Sequence, residues 1–330
     1  MVDDAPPPST EIELACWDNA PAPLTVSEAA RQALAAFPNK AAEGDLATHR
    51  AMCAGVQRDL GGAQLRRYGV EMRESEIAGV PVRIFTPPQA SERVLLNLHG
   101  GGFIVDAGSV TENAPIAALT GLTVVAARYR LAPEHSFPAA VDDAEAVYDV
   151  LLEKVGAQSI GLYGTSAGAL LCAQLLARLR RDKRPLPKAF GFFSGTADLT
   201  RSGDSEHFFR PFNEVRAGKR LFEDYVRGHE RTDPALSPIF SDLGAFPPTL
   251  CIAGTRDFML SQTSLFHQAL LRAGVDARLA IFEAMPHAHW IFLDLPESDA
   301  AFSLMAAFFR EQLGTEAVSP QPGARGSVQL

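Results

Sequence analysis

Long apolar runs are missing from this 330-residue chain, and no stretch approaches the about 18 uninterrupted apolar residues that a membrane-spanning helix requires. Basic charge is in deficit, with 30 Lys and Arg against 39 Asp and Glu and a net charge of −9. Nucleic acid and anionic membranes are met by basic patches, so neither partner is expected. Cysteine is scarce. Cys16, Cys53, Cys172 and Cys251 form no C-x-x-C pair and read as buried apolar residues, which argues against a zinc site or a disulfide framework and fits a reducing compartment. The N-terminal Met1-Val2-Asp3-Asp4-Ala5-Pro6-Pro7-Pro8 has neither a basic n-region nor an apolar h-region, so no signal peptide is read there. No internal repeat is visible. These absences predict a cytoplasmic chain without metal, and they name no activity.

What is present is 47% hydrophobic residues, enough for a core that buries roughly three-quarters of the unfolded surface. Ser27 can N-cap a helix that Pro38-Asn39 stops, and a second helical pattern over 43–60 meets Gly61-Gly62. Alternation over 70–77 and 80–85, around Ala78-Gly79, predicts a β-hairpin with one wet face. Beyond Pro87-Pro88 short apolar runs at 94–98, 122–127, 159–163, 189–193, 249–253 and 277–282 read as buried strands. Helical patterns at 113–120, 139–154, 167–181, 261–273 and 298–313 separate them. Strand–helix alternation with nearly continuous apolar strands predicts an α/β fold, a mostly parallel sheet covered on both faces. The stretch 199–233, with a helical piece near 219–227, is too long for an ordinary connection and reads as a lid or binding element.

Two glycine motifs carry chemistry. Gly164-Thr165-Ser166-Ala167-Gly168 follows a strand and opens a helix, the context in which a serine nucleophile sits on a tight turn. His99-Gly100-Gly101-Gly102 follows the strand at 94–98, and consecutive glycines let backbone N–H groups converge on a substrate oxygen. Chance supplies a G-x-S-x-G in about one chain in ten and an H-G-G-G in roughly one in a few hundred, so the ordered pair is the informative observation. A serine nucleophile needs a base, and the base needs an acid. The strand at 249–253 runs into Gly254-Thr255-Arg256-Asp257, which favours Asp257 as the acid over Asp242, Asp276 and Asp294. The strand at 277–282 runs into Pro286-His287-Ala288-His289, which offers two histidines as the base; His267 lies in a helical pattern and reads as structural.

From about Val70 to Leu313 the chain resembles the hormone-sensitive-lipase-like family of α/β-hydrolase esterases. The resemblance is carried by H-G-G-G and G-T-S-A-G, by Tyr129-Arg130-Leu131-Ala132-Pro133-Glu134, Phe137-Pro138-Ala139-Ala140 and Asp142-Asp143, and by Asp233-Pro234, Ser237-Pro238, Phe246-Pro247-Pro248 and Met285-Pro286-His287. It implies an α/β-hydrolase core (67–198 and 233–314) and a cap made of 1–66 and 199–232; the remaining 315–330, by its own composition, is expected to be a disordered tail. By the same likeness Ser166 is the nucleophile, Asp257 the acid and His287 the base, with the N–H groups of Gly101, Gly102 and Ala167 as oxyanion donors. Two departures stand out: Thr165 where many members carry Asp, and His289 where an aromatic is usual. His289 is expected to line the pocket or bond a carbonyl. Phe208, Phe209, Phe212 and Phe222 are candidates for lining it, or for gluing the cap to the core. The implied activity is a serine carboxylesterase without cofactor, acting on small apolar esters of short-to-medium acyl chain. Lactone or aryl-ester hydrolysis on the same triad is the near alternative. A non-catalytic small-molecule receptor is the distant one, and receptors similar to this family lack the catalytic histidine. Whether the chain is a monomer or a homo-oligomer is left open.

Overall fold

The computed structural model describes residues 21–36, 45–208 and 222–315. Two helices come first, α1 (Glu28–Ala36) and α2 (Leu46–Tyr68), then the hairpin β1 (Glu71–Ile77) and β2 (Val80–Thr86). Alternation follows as β3 (Val94–Leu98), α3 (Asn113–Thr120), β4 (Thr123–Ala127), α4 (Ala139–Val155), β5 (Ile160–Thr165), α5 (Ala167–Arg181) and β6 (Ala189–Phe193). Two short helices, α6 (Asp204–Phe208) and α7 (Glu223–Val226), precede β7 (Thr249–Arg256) and α8 (Leu260–Arg272). The chain closes with β8 (Ala277–Pro286), α9 (His289–Phe292) and α10 (Pro296–Leu313).

The eight strands form one sheet in the order β1-β2-β4-β3-β5-β6-β7-β8. From β4 to β8 every neighbouring pair is parallel, while β2 pairs antiparallel with both β1 and β4. Successive residues of a strand point to opposite faces, so a strand covered on both sides must be apolar throughout. Leu96 of β3 packs with Leu162, Phe192 and Cys251 against Val141, Leu175 and Phe266 of α4, α5 and α8. Its neighbour Leu95 turns the other way, into a cluster with Tyr163 and Ile252 against Ile116, Phe302 and Phe309 of α3 and α10. Among the described residues no helix is long and apolar enough to cross a membrane.

Three expectations are corrected. β8, expected to be a buried strand, is the sheet's edge, and Leu279 and Ile281 on it are 36% and 40% exposed. The helical piece expected near 219–227 is the four-residue α7, and residues 219–221 lie outside the described ones. α2 does not stop at Gly61-Gly62 but runs on to Tyr68, where Gly69 at φ 63° caps it and donates its N–H to Leu65 O. Gly61 serves contact rather than termination: a Cβ there would lie 2.7 Å from Val110 Cγ1. Ser27 caps α1 as expected, its Oγ accepting from Ala30 N at 3.0 Å. The 315–330 tail falls almost entirely outside the described residues.

The two adjacent glycines should therefore respond differently to alanine. At Gly62 a Cβ meets only the end of the Arg66 side chain, at 3.5 Å, so Gly62→Ala gains about 1 kcal/mol of helix propensity and raises the unfolding midpoint. At Gly61 the same gain is opposed by overpacking of about 1–3 kcal/mol, so Gly61→Ala leaves the midpoint unchanged or lowers it by a few degrees. Differential scanning calorimetry of both variants checks this, and equal shifts would contradict it.

Candidate active site

The sheet order places the candidate residues. β3 is flanked by β4 on one side and β5 on the other, so the connections leaving β3 and β5 diverge and open a crevice at the strands' C-terminal ends. His99-Gly100-Gly101-Gly102 leaves β3 there, and Ser166 leaves β5. The two touch: a Cβ at Gly100 would lie 2.9 Å from Thr165 O and 3.5 Å from Ser166 Cβ.

Ser166 stands at φ 59°, ψ −120°, a backbone conformation that costs a residue with a Cβ about 1–3 kcal/mol. The surrounding structure holds it there. Ser166 N donates to Phe193 O at 2.9 Å on β6, and Ser166 O starts α5 by accepting from Ala169 N at 3.1 Å. Gly101 (φ 116°) and Gly102 (φ 65°) turn the facing loop, and a Cβ at Gly101 would collide with Val105 O at 2.1 Å. Among the described residues the amides of Gly101, Gly102 and Ala167 donate to no protein acceptor. The loop is anchored through His99, whose Nδ1 bonds Gly100 O at 2.8 Å and whose ring stacks 4.2 Å from Tyr129. Tyr129 OH donates to His99 O at 2.6 Å, so the Tyr-Arg-Leu-Ala-Pro-Glu segment serves as a buttress for the glycine loop.

Asp257 and His287 meet. Asp257 follows β7, His287 follows β8, and Nδ1 of the ring bonds Asp257 Oδ1 at 2.7 Å. Asp257 is fully buried and also accepts from Met259 N at 2.8 Å. Burial pushes its carboxyl up, but the charge and hydrogen bond of His287, the Ser194 hydroxyl and the Met259 amide outweigh it, leaving Asp257 below the ordinary carboxylate range. Ser194 faces the carboxyl without closing a well-formed bond, so Oδ2 is left unpaired. The His287 side chain is 12% exposed and rests against Phe258, ring centroids 4.4 Å apart. The structure joins His287 to Asp257 by a hydrogen bond but closes none between His287 and Ser166, which leaves β5 on the same C-terminal side of the parallel strands. Catalytic bonds of this kind are often open until substrate is bound.

His289 lies elsewhere. It is fully buried between Phe282 and Trp290, with Nε2 3.4 Å from Glu297 O. The carbonyl bond expected of it is present. Lining a pocket is not, because a fully buried ring has no surface for a ligand. Burial pulls its pKa down to about 4. Asp242 pairs with Arg180, Asp276 lies near Arg278 and Asp294 pairs with Arg67, so none of these rivals approaches His287. Phe209 and Phe212 lie outside the described residues, and for Phe208 only its place in α6 is described. Phe222 is buried and packs edge-on against Phe103, the residue after the glycine loop, at 5.1 Å. Among the described residues no cluster of three or more His, Cys, Asp or Glu could hold a metal.

Glu112 was not singled out from the sequence. It is fully buried, just ahead of α3, and bonds Thr165, Trp290 and Asn97. An acidic residue at a helix start is ordinary, so no sequence signal distinguished it.

Comparison with known proteins agrees with this geometry. The model of an alpha/beta hydrolase fold family matches residues 95–291. An acetyl-hydrolase of Streptomyces hygroscopicus is 34% identical over 238 residues, covering 69% of this chain and 79% of the relative. The crystal structure of an esterase, E25, superposes with a TM-score of 0.77 at 29% identity, over 88% of this chain and 96% of that one. An esterase from the bacterial hormone-sensitive lipase family gives 0.74 at 28% identity, over 83% and 94%.

The depressed His289 pKa has a measurable consequence. A histidine whose folded pKa lies below its unfolded value gives stability that is present above the ordinary histidine range and lost as pH falls toward about 4. The loss amounts to something on the order of 3 kcal/mol. In His289→Phe, denaturant titrations at pH values spanning that window should show this part of the acid dependence removed. An unchanged dependence would clear His289 as its source.

Proposed function

We propose that this chain, which belongs to the alpha/beta hydrolase fold family and is a carboxylic ester hydrolase related to the hormone-sensitive lipase esterases, works through an acyl-enzyme formed on Ser166. The observation that carries this reading is the 2.7 Å bond between His287 Nδ1 and Asp257 on the C-terminal side of the parallel strands, the side on which the strained Ser166 turn faces the glycine loop. A serine hydroxyl attacks only when a base removes its proton. His287, held by Asp257 in the tautomer that carries its proton on Nδ1, leaves Nε2 free to take it. Ser166 Oγ then adds to the ester carbonyl carbon. The oxygen that becomes negative is received by the amides of Gly101, Gly102 and Ala167, each such donor being worth about 10²–10³ in rate. Collapse breaks the acyl C–O bond, and His287 returns the proton to the leaving alcohol. Water, deprotonated by the same ring, releases the carboxylic acid and restores Ser166.

The low pKa of Asp257 supports its part. It stays ionised beside His287 and stabilises the imidazolium formed at each step. The substrates proposed are small apolar esters with short-to-medium acyl chains, in line with the acetyl-hydrolase among the relatives. The segments before the hairpin and after β6 are proposed to form a cap over the crevice. Phe222 and Tyr225 fit this reading, since both pack on Phe103 beside the glycine loop.

Ser166→Ala and His287→Ala should each lower kcat/KM for p-nitrophenyl acetate by about 10⁴ or more, and the double variant should lose little beyond either single one. Activity should fall from the acetyl and butyryl esters to the palmitoyl ester. Near-native turnover in Ser166→Ala would overturn the serine assignment, and a preference for palmitoyl would overturn the substrate class.

A further inference from the structure

We propose that Glu112 is a positioning residue for ester hydrolysis, its buried carboxylate holding the strand that enters the glycine loop, the residue before Ser166 and the helix after His287 in one arrangement. This rests on the roles given to Ser166 and His287 above.

The carboxyl group reaches all three catalytic segments. Oε1 accepts from the Thr165 hydroxyl, one residue before Ser166, and from Trp290 Nε1 at 2.9 Å, three residues after His287. Oε2 faces Asn97 Nδ2 at 3.4 Å, two residues before His99. The polarity of the network is set from outside. Tyr163 OH donates to Asn113 Oδ1, and Asn113 Nδ2 donates to Asn97 Oδ1 at 2.9 Å and to Ser109 O at 2.8 Å. Asn97 has only its amide N–H groups left to offer Glu112, and an indole nitrogen can only donate. Donors therefore converge on Glu112 from β3, from β5 and from α9. A carboxylate satisfies them all, whereas a protonated carboxyl sets its own hydrogen against one of them.

The same group is poised to titrate. Burial pushes Glu112 up to about 7 against the lowering effect of Thr165, Trp290 and Asn97. The titratable groups that face it are Tyr163 of β5 and Cys172 of α5, both held neutral, first by burial and then by the Glu112 charge. No cation is among its bonded partners. His289, beside Trp290, is neutral in the same range. Near neutrality, loss of the Glu112 proton assembles the network and gain of it leaves one donor unanswered.

The experiment compares wild type, Ser166→Ala, Glu112→Gln and Trp290→Phe on p-nitrophenyl acetate from about pH 5 to pH 9, with kcat and KM resolved separately. In wild type the acid limb of kcat should be steeper than loss of one proton allows, because His287 and Glu112 must both be deprotonated. In Glu112→Gln it should fall to the one-proton slope, with kcat at alkaline pH lowered about tenfold or more and KM within about threefold. Trp290→Phe keeps the ring but removes one donor from the carboxylate, so its acid limb should move to higher pH. Combining the two substitutions should add little to Glu112→Gln alone. Wild-type kcat and limb in Glu112→Gln, or a loss confined to KM, would overturn the positioning role. Should Glu112→Gln not fold, Trp290→Phe decides by itself, and an unmoved acid limb overturns the proposal. Near-native turnover in Ser166→Ala would instead refute the serine reading, which keeps the two failures distinct.

Discussion

The first turn of α5 lies so close on the end of β3 that a Cβ at Gly168 would sit 1.9 Å from Leu98 O, and one at Gly164 2.7 Å from the same oxygen. That approach of backbone to backbone is the constraint from which the site follows. Because no side chain fits between helix and strand, the chain must reverse within the single residue that separates β5 from α5, and that residue is Ser166 in its strained conformation. The next residue after Leu98 is His99, so the glycine loop starts at the point of contact. Ser166 and the amides proposed to receive the oxyanion are thereby placed by one packing event. The remaining elements hold it in place: hydrophobic layers on both faces keep β3 and β5 adjacent, and β6 supplies the carbonyl that binds Ser166 N.

Much of this was legible in the sequence because its cause is local or periodic. Strands buried on both faces have to be apolar at every position, and glycines that permit close approach fall at fixed spacing about Ser166. Asp257 and the pair His287 and His289 could be placed because chemistry at the ends of neighbouring parallel strands converges in space, while the choice of His287 rests on the likeness of Met285-Pro286-His287 to the esterase family. What was hidden depends on distant partners. Gly61-Gly62 looks like a helix stop until Val110 is seen against Gly61. The edge position of β8 follows from sheet order, which the pattern of Ala277–Phe282 does not carry. Glu112 has partners 15, 53 and 178 positions away, so nothing near it in the chain betrays its role.

The residues beyond β6 are tied to the same centre. Tyr225 of α7 lies parallel to Phe103 with ring centroids 3.6 Å apart, and its hydroxyl donates to Gln174 Oε1 on α5 at 2.7 Å. Phe137 N in turn donates to Tyr225 O at 2.8 Å. One aromatic residue thus bonds the segment after β6 to the glycine loop, to the helix that starts after Ser166 and to the Phe-Pro-Ala-Ala motif. A change in that segment can reach the glycine loop through Phe103 without touching Ser166, Asp257 or His287. The aromatic residues thus bear on the geometry of the glycine loop as well as on stability.

Trp290 stands between two buried groups that titrate in opposite senses. On one side Glu112 is raised from 4.5 to about 7, and on the other His289 is lowered from 6.5 to about 4. Unfolding within that window lets the carboxyl release a proton and the imidazole take one up. The raised acid contributes stability that is lost as pH rises toward 7, and the depressed base contributes stability that is lost as pH falls toward 4. The two shifts are opposite in sign. On unfolding, the proton that Glu112 releases is thus offset by the one that His289 takes up, and the indole between them separates two groups whose pH dependences oppose each other.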